Sequence, residues 1–75
     1  MGNCHSNQST YYHIRKCFGN NVYIDWWPIF GQRCGSIGQA KKQYTKELMD
    51  GGKYQLVELI VKDNVIQYEK VIEQN

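Results

Sequence analysis

Seven of the ten aromatic residues of this chain lie within one short stretch, which the sequence predicts to be a β-hairpin. They are Tyr11, Tyr12, Phe18, Tyr23, Trp26, Trp27 and Phe30. Successive side chains of a strand point to opposite faces, so a single core cannot take all of these rings. Because a chain of 75 residues has few elements with which to cover a second face, we expect some of the rings to be exposed.

The first two strands are predicted over residues 11–18 and 22–30, where apolar and polar side chains alternate. Between them, Gly19-Asn20-Asn21 tolerates the positive φ angles of a turn. Pro28 has no backbone N–H to donate, so the second strand should end there or lie at a sheet edge.

A helix and a second hairpin are predicted for the rest of the chain. Ser36, with Gln39 three residues later, is typical of a helix start, and Gly51-Gly52 is typical of a helix end. The apolar residues between them recur at helical spacing. The last two strands are predicted over residues 54–62 and 65–72, joined by a two-residue turn at Asp63-Asn64.

The order strand, strand, helix, strand, strand predicts an α+β fold, with a mixed four-stranded sheet and one helix packed on one face. We expect a single domain over residues 11–75, preceded by a polar, flexible tail over residues 1–10. The element order is similar to that of ubiquitin-like and protein-G-like β-grasp domains, which pair the first and last strands in parallel at the sheet centre. A meander interrupted by a helical crossover is the alternative. Either arrangement leaves one sheet face without a helix.

This uncovered sheet face is the first candidate site. Alternation turns Ile14, Ile24 and Trp26 toward the helix. The opposite face then holds the predicted partner-binding residues, which are Tyr11, His13, Arg15, Tyr23 and Trp27. Tyrosine, tryptophan and arginine are enriched at interaction hot spots, so this face favours a non-enzymatic protein-binding module, such as an intracellular inhibitor, an immunity-type protein or an adaptor. Self-association through the same face into a C2 dimer is an allied hypothesis.

The net charge of +2 is unevenly spread along the chain. Residues 1–46 hold six bases and one acid, and residues 47–75 hold three bases and six acids. One end of the molecule therefore attracts anions, unless the two halves pack together and neutralise each other. The glycine-rich loop before the helix predicts a weak anion-binding site, formed by Arg33, Ser36, Lys41 and Lys42. An aromatic and basic sheet face also suits single-stranded nucleic acid, but the modest net charge disfavours a nucleic-acid binder.

The first six residues fit a pattern for lipid attachment. Gly2 and Ser6 stand where N-myristoylation requires them, and Cys4 is placed to take a second acyl chain. The first five residues, MGNCH, resemble the start of flotillins, which are lipid-anchored. The alternative function is therefore an N-terminally acylated adaptor at a membrane surface.

Catalysis, cofactors and metal binding are not predicted. His13 and Asp25, on paired strands, are the one plausible acid–base couple, and such cross-strand pairs are far more often surface ion pairs. His13 and Cys17 lie roughly 13 Å apart along a strand, too far to ligate one zinc ion. The three cysteines are an odd number without CxxC spacing, and no apolar run approaches the roughly 18 residues of a membrane span. We expect a cytoplasmic protein, membrane-associated if Gly2 is acylated.

Overall fold

The computed structural model describes residues 8–29 and 31–75 and has an α+β fold. Its elements are β1 (Gln8–Cys17), β2 (Tyr23–Trp27), α1 (Ile37–Glu47), a 3-10 turn (Leu48–Asp50), β3 (Tyr54–Lys62) and β4 (Val65–Gln74). The predicted order, with one helix between two pairs of strands, is confirmed. Residues 8–10 differ from the prediction, because they belong to β1 rather than to a tail.

Turns and caps form where the sequence predicts them. Asp63 and Asn64 have φ angles of 52° and 64°, as a two-residue hairpin turn requires. Ser36 is the N-cap of α1, and its Oγ accepts a hydrogen bond from the backbone N–H of Gln39 at 3.2 Å. Gly51 ends the helical segment with a φ of 83°, an angle that favours glycine.

The sheet has the strand order β2-β1-β3-β4, and every neighbouring pair is antiparallel. It differs from the predicted mixed sheet, because β1 pairs with β3 rather than with β4. The physical reason lies in β3, which is apolar on both faces. The adjacent residues Leu56 and Val57 are both fully buried, and a strand of this kind is stable at the centre of a sheet. The more polar β4 takes an edge.

The main core lies between α1 and one face of the sheet. Ala40 and Tyr44 of the helix pack against Ile14 of β1 and Leu56 of β3. The full set of buried residues in this cluster is Tyr12, Ile14, Cys34, Ala40, Tyr44, Tyr54 and Leu56. The helix therefore rests on the two central strands.

A second core lies on the helix-free face, where Val57, Leu59 and Val61 of β3 are buried. An ion pair covers this face in place of a helix. Arg15 lies opposite Gln55, and Glu69 lies opposite Leu59. The Arg15–Glu69 pair, with Nη2 and Oε1 2.6 Å apart, therefore joins β1 to β4 across β3 and passes over Val57.

Candidate functional site

The structure brings three of the five predicted partner-binding residues together on the helix-free face. Tyr11, His13 and Arg15 are alternate residues of β1, and each is half-buried. Tyr23 is also half-buried and lies opposite Cys17, at the end of the same face. The alternation of β1 was thus enough to locate the centre of this surface.

The predicted position of Trp27 is wrong, because β2 contains an irregularity. Arg15 lies opposite Asp25, whereas the preceding residue, Ile14, lies opposite Trp27. Trp26 is the extra residue of this β-bulge, and an extra residue moves every following side chain to the other face. Trp27 consequently packs against the helix-side core and not on the helix-free face.

The two adjacent tryptophans should differ in their contribution to stability. Trp27 is half-buried against the core, so Trp27→Ala should lower the free energy of unfolding by about 2 kcal/mol, less than for a fully buried ring. Trp26 is 43% exposed, so Trp26→Ala should cost about 1 kcal/mol or less. Urea unfolding of both variants measures the difference. Equal losses in the free energy of unfolding would contradict the conclusion that the bulge turns Trp27, rather than Trp26, into the helix-side core.

Arg33 is held on the helix-free face by Tyr11. The guanidinium carbon lies 4.8 Å from the centre of the Tyr11 ring, and Nη1 donates a hydrogen bond to the Tyr11 hydroxyl at 3.2 Å. Hydrogen bonds from Ser9 and Arg33 lower the pKa of that hydroxyl. The ring contact and the hydrogen bond together hold an otherwise exposed guanidinium in place. An arginine that is already held loses less entropy when it binds a partner.

The other arginine of this face, Arg15, is paired with two carboxylates of the chain. It donates to Asp25 through Nε at 3.1 Å and to Glu69 through Nη2 at 2.6 Å. His13 approaches the same oxygen of Asp25, with Nδ1 and Oδ1 3.8 Å apart. This distance is too long for a hydrogen bond, and the carboxylate is already bound by Arg15. The group is therefore an ion-pair network, and it lacks the geometry of a catalytic acid–base couple.

Three neighbouring cavities surround Arg33 and form what we call the Arg33 groove. The first, of about 420 Å³, lies between His13 and the loop residues Pro28, Ile29 and Gly31–Arg33. The second, of about 190 Å³, lies between Arg33 and the apolar residues Leu59, Val61 and Ile66. The third, of about 400 Å³, lies beside Ser9 and the β3–β4 turn. Arg33 lines all three, so the cavities meet at this one side chain.

The residues predicted to bind an anion do not form one site. The Ser36 hydroxyl is occupied as a helix cap, and Lys41 Nζ lies 4.0 Å from Glu73 Oε2. Arg33 lies on the helix-free face of the sheet, whereas Lys42 lies on the exposed surface of α1. The loop therefore divides the predicted cations between different surfaces.

The unequal charges of the two halves of the chain are largely neutralised against each other. Three ion pairs join a base of the first half to an acid of the second half; they are Arg15–Glu69, Lys16–Asp50 and Lys41–Glu73. Of the two expectations for the charge split, packing of the halves is the one that these contacts support.

A second exposed surface was not predicted, and we call it the hairpin patch. It consists of Phe18, Val22, Ile24 and Trp26, which are between 43% and 55% exposed. The rings of Phe18 and Trp26 lie 5.9 Å apart, and Lys16 Nζ lies 4.5 Å from the Trp26 ring. The sequence predicts these side chains on the helix side, but α1 rests on the central strands and leaves most of this patch exposed. Its one hydrogen bond to α1 among the described residues runs from Trp26 Nε1 to Glu47 Oε1 at 3.2 Å.

Some predicted positions lie outside the described residues, namely the lipidation candidates Gly2 and Cys4, and also Phe30. Within residues 8–29 and 31–75, no three metal-binding side chains are grouped closely enough to hold an ion. Over the same residues, the structure contains no helix with the length and apolar character needed to cross a membrane.

Comparison of the chain with protein-family models, curated proteins and solved structures finds no match.

Proposed function

We propose that this chain is a non-enzymatic protein-binding module of the inhibitor, immunity-type or adaptor class, and that it binds its partner through the Arg33 groove. The observation that carries the proposal is the arrangement around Arg33, an exposed guanidinium fixed on an aromatic ring and surrounded by three adjoining cavities. Arginine and tyrosine at the centre of a surface are typical of binding hot spots.

The shape and chemistry of the groove support protein binding more than catalysis. Its middle cavity is lined by the apolar residues Leu59 and Val61, and polar side chains such as His13 and Arg33 line the same cavity. An apolar surface with a few fixed polar groups gives both affinity and orientation to a docked chain. The nearest acid–base couple, His13 and Asp25, is already part of an ion-pair network.

The experiment is affinity capture from the native cell with the wild type and two variants. Arg33→Ala removes an exposed loop side chain, so it should leave the fold intact while the captured partner is reduced at least tenfold. Lys42→Ala is the matched control, because it removes one positive charge from the exposed surface of α1. Equal recovery of every partner by the wild type and Arg33→Ala would contradict the proposal.

A further inference from the structure

We infer that the Arg33 groove binds an extended peptide segment of its partner, and that this segment places an aspartate or glutamate carboxylate on Arg33 beside an apolar side chain. The inference rests on the proposed function and adds the chemistry of the ligand. It follows from the donors that Arg33 leaves unused, from the charges around it and from the course of the groove.

The guanidinium of Arg33 has the donors for a carboxylate. An arginine side chain carries five N–H donors, and within residues 8–29 and 31–75 only one nitrogen of Arg33, Nη1, makes a hydrogen bond, to a neutral hydroxyl. Among the described residues, no carboxylate oxygen lies within 4.0 Å of Arg33, whereas Arg15 on the same face pairs with two carboxylates. A planar guanidinium with free N–H groups binds a carboxylate through two parallel hydrogen bonds.

The charges of this face place the ligand's acid at the centre of the groove. Asp25 and Glu69 are both bound by Arg15. Asp63 lines only the cavity at the Ser9 end. The middle cavity of about 190 Å³ has no carboxylate in its lining, which combines Arg33 and His13 with Leu59, Val61 and Ile66. An acidic side chain next to an apolar one therefore complements both the charge and the surface of the middle cavity.

The course of the groove fits an extended chain. The cavities follow β1 from His13 past Tyr11 to Ser9, a distance of about 13 Å along the strand. Four extended residues cover that length, and their side chains alternate between the cavities and solvent. A carboxylate at one position and an apolar side chain two positions away then face the same side.

The test selects binding peptides from a phage-displayed library of random octapeptides. On the wild type, the selected peptides should share an aspartate or glutamate with an apolar residue two positions away. Selection on Arg33→Gln should lose the acidic position, and selection on Arg33→Glu should replace it with lysine or arginine. Lys42→Gln, with the same loss of charge on α1, should select the same peptides as the wild type.

A synthetic copy of the strongest selected peptide then gives the size of the effect by fluorescence anisotropy. Changing its acid to the amide should weaken binding to the wild type at least tenfold and leave binding to Arg33→Gln unchanged. The inference is overturned if the selected peptides lack an acid, if Arg33→Gln selects the same acid, or if no peptide is enriched. Selected peptides that lack an acid but still require Arg33 would contradict only the inference that a carboxylate binds there. The proposed function would be unaffected by that result. Native partners captured independently of Arg33 would overturn both.

Discussion

Leu56→Ala is expected to lower the free energy of unfolding by about 3–4 kcal/mol, the largest effect among the substitutions considered. Leu56 is fully buried between the sheet and α1, where it lies in one cluster with Ile14 and Tyr44. Removing its side chain leaves a cavity with rigid elements on both sides, and such a cavity cannot collapse fully. In a domain this small, the loss is a large part of the total stability.

Leu59→Ala is the matched comparison on the same strand and should cost less, about 2 kcal/mol. Leu59 is 3% exposed on the helix-free face, where side chains such as Tyr11 cover it. These side chains can move inward or admit water, so less of the cavity remains. Urea unfolding of both variants gives the comparison. A larger cost for Leu59→Ala would show that the helix-free face holds the dominant core.

The second large effect is a loss of stability between about pH 10 and pH 12, caused by Tyr54. Its side chain is fully buried, and burial together with its hydrogen bond to Asp50 raises its pKa from 10.0 to about 12. The folded state therefore keeps the proton more tightly than the unfolded state. The resulting contribution, roughly 2–3 kcal/mol, is complete below pH 10 and disappears as the pH rises through the folded pKa.

The pH dependence can be assigned to Tyr54 by substitution. Tyr54→Phe has no hydroxyl to titrate, so its stability should fall less steeply than that of the wild type between about pH 10 and pH 12. The stability of Tyr54→Phe should still fall somewhat with pH, since burial also raises the pKa of Tyr12 and of Tyr44. Tyr68→Phe, on the exposed edge strand, is the control for the loss of one tyrosine. If the free energy of unfolding falls with pH equally steeply in Tyr54→Phe and the wild type, the assignment to Tyr54 is contradicted.

The local elements of the fold could be predicted from the sequence because their signals are local. The run at Tyr54–Lys62 was predicted with the bounds that β3 has, and the cap at Ser36 forms the expected hydrogen bond. The strand order could not be predicted in this way, since it depends on which distant strands pair. The apolar residues on both faces of β3 were the available signal for its central position.

The candidate site was predicted in part. Tyr11, His13 and Arg15 follow directly from alternation along one regular strand. The sheet face of Trp27 could not be predicted in this way, because a single extra residue in β2 moves its side chain to the opposite face. No local sequence pattern indicates a bulge there. The position of Arg33 on the Tyr11 ring depends on the path of the loop before α1, which follows from tertiary packing rather than from residue pattern.

Mapping of the binding surface by NMR tests the central claim most directly. Uniformly ¹⁵N-labelled protein is titrated with a partner domain or a selected peptide, and the shifted amide signals are placed on the structure. We predict that the largest shifts occur around the Arg33 groove, at Tyr11, His13, Arg33, Leu59 and Ile66. Shifts concentrated at the hairpin patch or along α1, with the groove unchanged, would contradict the claim that the helix-free face is the binding surface.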